Sequence, residues 1–271
     1  MSPALKKSDR APAFQGLIWE GVYSSFADVP KIGDGFAGSE WNSAMLEKGR
    51  LAIESPETAG GGVSLYSTSL LPLVVALTEP REEPVRILDF GGGVGTTFAA
   101  VMQSVQNRRL DYHVVEMPNV CDIGARVFKD DPRIRFHSTL PGDVTSVDIV
   151  HFGSSIQYVE EWKDFLQRVV RYRPGFLLFT ELMAGDIPTF ATAQNYYGST
   201  IPAWFFNFSE FTDHLARLGF HLEFKAPYGG TYLGKVQPVP QPNFAPEYRL
   251  GYASHALFRS DSSTPHRGTH V

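Results

Sequence analysis

The chain has one cysteine, Cys121, in 271 residues. No intramolecular disulfide can form, and so sparse a use of cysteine fits a reducing, cytoplasmic compartment. Cys121 itself reads as a small apolar residue on a helix rather than as a reactive thiol. Basic residues are outnumbered: 24 Lys and Arg stand against 29 Asp and Glu, a net charge of −5. A nucleic-acid substrate needs a positive footprint and is therefore disfavoured. Long apolar runs are also missing. The longest, Leu70 to Leu77, is broken by Pro72 and too short to span a bilayer. The stretch Met1 to Pro12 carries Lys6, Lys7, Asp9 and Arg10 with no apolar core behind them, unlike a secretory signal. His113, His137, His214 and His221 have no metal-ligand spacing, so no metal is expected. Ser154 and Ser155 stand outside any G-x-S-x-G elbow, which argues against a hydrolase.

What is abundant is glycine in one place. Val85 to Gly95 reads as a short apolar strand, an acid, and then Gly91, Gly93 and Gly95 at every second position after Asp89. Such a turn lets backbone approach a ligand closely, and the helix expected from Thr96 to Gln106 points its free N–H groups at the same place. A dinucleotide site needs G-x-G-x-x-G, but Thr96 and Phe98 occupy the third glycine position in the two registers. A carboxylate beside a pyrophosphate would also repel it. Asp89 suits a cationic ligand with an amino acid moiety, held directly or through water. Asp111 to Glu116 is a second strand ending in an acid. The Glu116 carboxylate, an acceptor only, matches the two donor hydroxyls of a ribose.

From Val85 onward strand-like runs alternate with helical patterns, as in βαβ units. Strands are predicted at 85–90, 111–116, 133–137, 147–152 and 175–181, and helices near 96–106, 119–129 and 159–172. In the last of these Trp162, Phe165, Leu166 and Val169 recur at i, i+3, i+4 and i+7, a core-facing stripe. An irregular aromatic stretch follows over 183–207, then a helix capped by Ser209 and ended by Gly219. Strands at 220–226 and about 253–259 close the sheet as an antiparallel edge pair around a long loop, 227–252. The expected fold is α/β: a Rossmann-like, doubly wound, mostly parallel seven-stranded sheet with a helical N-terminal cap. The expected organisation is a disordered 1–13, an aromatic and helical cap over 14–80 that walls a substrate pocket, a domain over 81–259 with the insertion 183–207, and a disordered tail, 260–271 with His266 and His270.

On Asp89, the alternating glycines and Glu116, the chain resembles the class I S-adenosylmethionine-dependent methyltransferases. Met117-Pro118-Asn119-Val120 resembles the turn of small-molecule O-methyltransferases whose apolar residue packs on adenine. Trp19-x-Gly21-x-Tyr23, Phe152 to Tyr158 and Phe176 to Leu182 are similar to a bacterial family assigned as methyltransferases, over residues 14–259. Members of that family occur in gene clusters for surface polysaccharides and secondary products. The resemblance implies S-adenosyl-L-methionine as cofactor, held by Asp89, Gly91, Gly93, Gly95, Glu116 and Met117, with Thr139 and Ser154 bordering the same site.

In plant-type O-methyltransferases a histidine after the fourth strand is the base. Counting from Asp148, that position falls on Gln157, which cannot titrate. The candidates for the catalytic step are therefore Glu181 first and His151 second, with Gln157 and Tyr158 beside the pocket. The expected activity is O-methylation of a small metabolite or sugar derivative. Two alternatives stay open: a cyclase or lyase that converts the cofactor itself to a small cyclic amino acid and methylthioadenosine, and a non-catalytic cofactor-binding module. The expected partner is a small-molecule acceptor, with neither nucleic acid nor membrane. Self-association as a homo-oligomer is left open by the sequence.

Overall fold

A computed structural model describes residues 17–54, 65–196, 198–232 and 235–261. The segments expected to be disordered, 1–13 and nearly all of 260–271, lie outside the described residues. The chain begins with β1 (Trp19–Tyr23), α1 (Ser39–Glu54) and α2 (Leu65–Leu77). An alternating series follows: β2 (Val85–Phe90), α3 (Thr96–Ser104), β3 (Leu110–Val115), α4 (Pro118–Val127), β4 (Ile134–His137), β5 (Ile149–Gly153), α5 (Trp162–Val169) and β6 (Phe176–Leu182). Next come β7 (Ala184–Gly185), β8 (Phe190–Tyr196), β9 (Ser199–Asn207) and α6 (Phe208–Arg217). The last strands are β10 (Phe220–Tyr228), the small hairpin β11 (Thr231–Tyr232) and β12 (Lys235–Val236), and β13 (Ala253–Ser260).

Seven of these strands form one sheet in the order β10-β13-β6-β5-β2-β3-β4. All its pairings are parallel except the two made by β13, which runs antiparallel between β6 and β10. Of the expected edge pair, therefore, only β13 is reversed. Alternation along the strands feeds two cores. Ile87, Val114, Ile149 and Leu178 pack against Leu71 and Val75 of α2 and Phe98 of α3. Leu88, Val150, Leu177 and Phe179 pack against Trp162 and Phe165 of α5 and Phe211 of α6. Helix α2 thus belongs to the main domain's own helical layer rather than to a cap.

The segment read as irregular, 183–207, is a second sheet of order β1-β8-β9-β7. Pro202 interrupts its sequence pattern, and the backbone shows why it is tolerated. The N–H groups of Thr200 and Phe206 donate outward to Ile32 and Met183 carbonyls, so the N–H that Pro202 lacks falls on the flank between them, where β9 has no partner strand. The aromatic motif near the start supplies β1, with a bulge between Glu20 and Tyr23 and Trp19 set edge-on against Phe205 at 5.0 Å. Helix α6 is capped by Asn207, whose side chain accepts the Glu210 N–H at 2.9 Å, and not by Ser209.

Phe179 is fully buried and stacked on Phe152 at 4.7 Å between the sheet and α6. Phe179→Ala should cost about 3–5 kcal/mol, read as a lower urea midpoint at unchanged slope. An unmoved midpoint would contradict this packing.

Candidate active site

Strand register sets the carboxyl ends of β3, β2, β5 and β6 side by side. Asp89 pairs with Val114 on one flank and His151 on the other, and Gly153 pairs with Thr180. In open α/β sheets ligands collect beyond these ends. The turn after β2 holds Gly91, Gly93 and Gly95 at φ of +70°, +58° and +89°. A Cβ at Gly91 would lie 2.4 Å from the Ser155 Cβ, and one at Gly95 would lie 2.8 Å from Phe128 Cε2. Those two glycines are demanded by the protein's own packing. Gly93 differs: the nearest atom to a Cβ built there is Met45 Sδ, at 3.9 Å. Of the three, only Gly93 would take a Cβ without a clash, with the Met45 thioether at ordinary contact distance above it.

Asp89 lies beneath this turn and is fully buried. One carboxylate oxygen accepts the Tyr112 hydroxyl at 2.6 Å and the other accepts His151 Nδ1–H at 2.8 Å. A Cβ on Gly92 would meet Asp89 Oδ2 at 2.4 Å, so the carboxylate sits directly under the backbone. Burial, together with the Asp89 charge, pushes the Tyr112 phenol far above its ordinary range and keeps it a donor. Asp89 was expected to hold a ligand's ammonium group directly or through water; here each of its oxygens accepts from a protein partner. Its oxygens are enclosed by protein partners, and it shapes the turn from below. His151 is likewise enclosed: buried, on Asp89 through Nδ1 and within 3.0 Å of Thr180 Oγ1 through Nε2, it presents no nitrogen to a substrate.

Glu116 stands at the rim of the open turn. Its Oε1 accepts the Gly93 N–H at 3.2 Å and its Oε2 accepts the Met117 N–H at 2.7 Å. Desolvation raises its pKa, and the two N–H groups oppose that rise. Met117 is half-buried against a cluster containing Met45, Val94 and Val120. Thr139 is exposed in the bend after β4, two strands away from β2. Ser154, left-handed at φ +53°, donates its N–H to the Thr180 carbonyl at 2.9 Å. Gln157 is fully buried and donates to Ser154 Oγ at 3.0 Å, while its Oε1 has no partner among the described residues. Tyr158 donates to Gln194 Oε1 at 2.7 Å, and its ring meets Phe36 edge-on at 5.0 Å.

Glu181 owes its position to a bulge. Ser254 pairs with Leu182 and Ala256 with Phe179, so Thr180 and Glu181 together oppose His255. Glu181 is left-handed at φ +56°, and its N–H donates to His255 Nδ1 at 3.3 Å. Burial and the Glu181 charge push the Tyr158, Tyr228 and Tyr232 phenols upward, and the same charge acts on the Lys48 ammonium. The structure therefore gathers Glu181 with Tyr158 and leaves Thr139 apart. Sequence reasoning missed Tyr228, Tyr232, Lys48, Thr180 and His255. A signal existed in the tyrosines at the end of β10 and in β11, and in Trp41, Met45, Lys48 and Gly49, which recur at helical spacing on one face of α1.

Among the described residues no group of three or more His, Cys, Asp or Glu is arranged to hold a metal, and no helix is long and apolar enough to cross a membrane. A shallow groove at the opposite edge of the sheet is lined by Arg81, Arg108 and Arg109. Its arginines already bond protein groups: Arg81 the Asp148 carboxylate, Arg108 the Thr78 carbonyl and Arg109 the Glu82 carbonyl.

No protein-family model matches the sequence, and no curated protein is similar to it. Solved structures do resemble it in fold. The candidate methyltransferase in complex with the Trm112 methyltransferase activator of Haloferax volcanii shares 15% identity over 82% of this chain and 96% of its own, with a TM-score of 0.51. The fold is that of the class I methyltransferases. A candidate S-adenosylmethionine-dependent methyltransferase of Listeria monocytogenes aligns at 11% identity, 69% and 96% coverage and a TM-score of 0.49. The 1,6-didemethyltoxoflavin-N1-methyltransferase of Burkholderia thailandensis, with bound 1,6-didemethyltoxoflavin and S-adenosylhomocysteine, aligns at 14% identity, 85% and 93% coverage and a TM-score of 0.48.

Burial, with His151 nearby, pushes His255 down from 6.5 to about 4. The unfolded chain then binds the proton more readily, so stability is intact above pH 6.5 and is lost as pH falls toward 4. His255→Asn, which keeps an acceptor for the Glu181 N–H, should flatten this loss by up to about 3 kcal/mol at the acid end. Urea titrations across that pH window check it, and an identical pH dependence in the variant would contradict it.

Proposed function

We propose that the protein is an S-adenosylmethionine-dependent methyltransferase that acts on oxygen of a small metabolite or sugar derivative. The observation that carries this reading is the left-handed, half-buried Gly93, where a Cβ would meet no clash, beside the Glu116 carboxylate on a class I methyltransferase fold. A nucleoside fits that place chemically. Glu116 offers two acceptor oxygens to the paired hydroxyls of a ribose, and Met117 offers a polarizable flank to a base. Asp89, with Tyr112 and His151, holds the turn in shape, while Gly91 and Gly95 seat it against Ser155 and Phe128. Bound there, the cofactor supplies an electrophilic methyl group on a positively charged sulfur.

Glu181 takes the role of base. It lies near the end of β6, one residue beyond the level where β5 ends, and the bulge lifts it out of the ladder. It accepts the hydroxyl proton of the acceptor as that oxygen becomes the nucleophile, a step that general base catalysis accelerates typically by about 10²–10⁴-fold. Burial first, and then the Glu181 charge, push the Tyr228 phenol upward and keep it protonated beside the carboxylate. Gln157 orients Ser154, and Tyr158 braces the wall contributed by Gln194. A second reading, intramolecular conversion of the cofactor to a cyclic amino acid and methylthioadenosine, is favoured by the ring cluster of Phe36, Trp41, Tyr158 and Tyr196, because aromatic faces attract a sulfonium.

Glu116→Ala should weaken S-adenosylmethionine binding by about 1.5–3 kcal/mol, the value of charged hydrogen bonds, with a smaller loss in Glu116→Gln. Calorimetry checks it, and unchanged affinity in both variants would remove Glu116 from the site. Incubation with the cofactor alone separates the two readings. Methylthioadenosine above the blank supports cyclisation, whereas adenosylhomocysteine that forms only when a metabolite pool is added supports methyl transfer.

A further inference from the structure

The longest apolar run of the sequence lies half in solvent. Helix α2 reads Leu-Tyr-Ser-Thr-Ser-Leu-Leu-Pro-Leu-Val-Val-Ala-Leu, 13 residues without one charge. A helix at a protein surface ordinarily carries polar groups on its outer face, and one that is apolar on both faces is covered on both. The inner face of α2 is covered: Leu71, Val74 and Val75 are packed into the core. Its outer face is bare, with Leu73 51% and Leu77 62% exposed and Ala76 exposed between them. These three stand at i, i+3 and i+4 and form one ridge. Beside the ridge runs a groove of about 560 Å³ that Ala76 also lines, together with the buried Val85 and Val105 and the exposed Glu82, Glu83 and Arg109. The charges along it are of both signs. Arg109 donates to the Glu82 carbonyl at 3.2 Å, and among the described residues no cation pairs with the Glu82 or Glu83 carboxylate.

We propose that this face is the contact between two copies of the chain, a two-fold dimer in which the ridge of Leu73, Ala76 and Leu77 on each copy enters the groove of the other. Contiguous exposed apolar surface rimmed by polar residues marks an interaction site, and a two-fold contact requires a surface that complements itself. This surface does so in shape, because ridge and groove lie side by side. It does so in charge, because Glu82 and Glu83 stand beside Arg109 and a half-turn sets acid against base twice. A partner of one sign would be repelled by half of the rim, and an anionic lipid surface would meet Glu82 and Glu83. The segment 55–64 is too polar to supply the cover: it reads Ser-Pro-Glu-Thr-Ala-Gly-Gly-Gly-Val-Ser, and it joins the helix at Leu65, about 18 Å along the axis from Leu77. Val85 opens β2 and Arg109 directly precedes β3, so the groove lies at the amino ends of the sheet. The dimer therefore leaves the carboxyl ends, with Gly93 and Glu116, free on each copy.

Sedimentation equilibrium of the full chain from about 1 μM to about 1 mM, the span of moderate to weak association, tests the contact. The wild type should pass from 30.1 kDa to twice that mass as concentration rises. Leu73→Glu and Leu77→Glu place a charge in the contact and leave the core untouched. Each should raise the dissociation constant roughly tenfold or more, with an unchanged urea midpoint for the separated chain. Val236→Glu, at a residue 75% exposed on the β11–β12 hairpin, should leave the association unchanged. A wild type that stays at single-chain mass throughout, a dimer that survives both ridge variants, or one lost equally in Val236→Glu would overturn the proposal. A lower urea midpoint in the ridge variants at single-chain mass would show that the chain's own residues cover α2, and would overturn it as well.

Discussion

The site depends on one buried carboxylate. Asp89 has no exposed surface, and a charge so placed is tolerated only when it is paired and hydrogen-bonded. Its partners come from the strands on both sides, Tyr112 from β3 and His151 from β5, and His151 extends the link to Thr180 on β6. Four strands are therefore pinned in register by a single chain of bonds. The glycine turn rests on that carboxylate from above, and Glu181 follows Thr180 directly. Both halves of the site inherit their separation from the same buried network. A slip of one strand would leave a polar group orphaned in the core, at a cost of about 1–3 kcal/mol.

Two different parts of the chain build the two halves. The main sheet supplies the turn, Glu116 and the bulge at Glu181. The second sheet and α1 supply the aromatic wall, and they come from opposite directions in sequence: β1 and α1 from before the first core strand, β8 and β9 from after the fifth. Trp19 on Phe205 and Phe26 stacked on Trp204 join these two sources. Such a division leaves the glycine turn fixed by sheet register while the aromatic wall is determined by residues outside the main sheet.

Much of the fold was legible because it is written in short-range pattern. The apolar runs of β2 and β5, the stripe of Trp162, Phe165, Leu166 and Val169, and the glycines after Asp89 each report a local constraint. The second sheet was hidden because Pro202 breaks its alternation and because its partner β1 lies far away in sequence. Glu116 and Met117 were legible from their place at a strand end. The burial of Asp89 and its bonds to Tyr112 and His151 were not legible, because an acid before glycines shows nothing of the strands packed beside it. Glu181 was legible as a strand-end acid, whereas its neighbours Lys48, Tyr228 and His255 come together only through tertiary structure. The bulge that brings His255 opposite Glu181 leaves no mark in the local sequence.

The central claim is that the backbone of Gly93 and the carboxylate of Glu116 receive a nucleoside. The most direct measurement is a crystal structure of the protein grown with S-adenosylhomocysteine. The account predicts ribose hydroxyls within hydrogen-bond distance of Glu116 and ligand atoms packed on the bare Cα of Gly93. Ligand density elsewhere on the molecule, with Glu116 still bonded only to the Gly93 and Met117 amides, would contradict it.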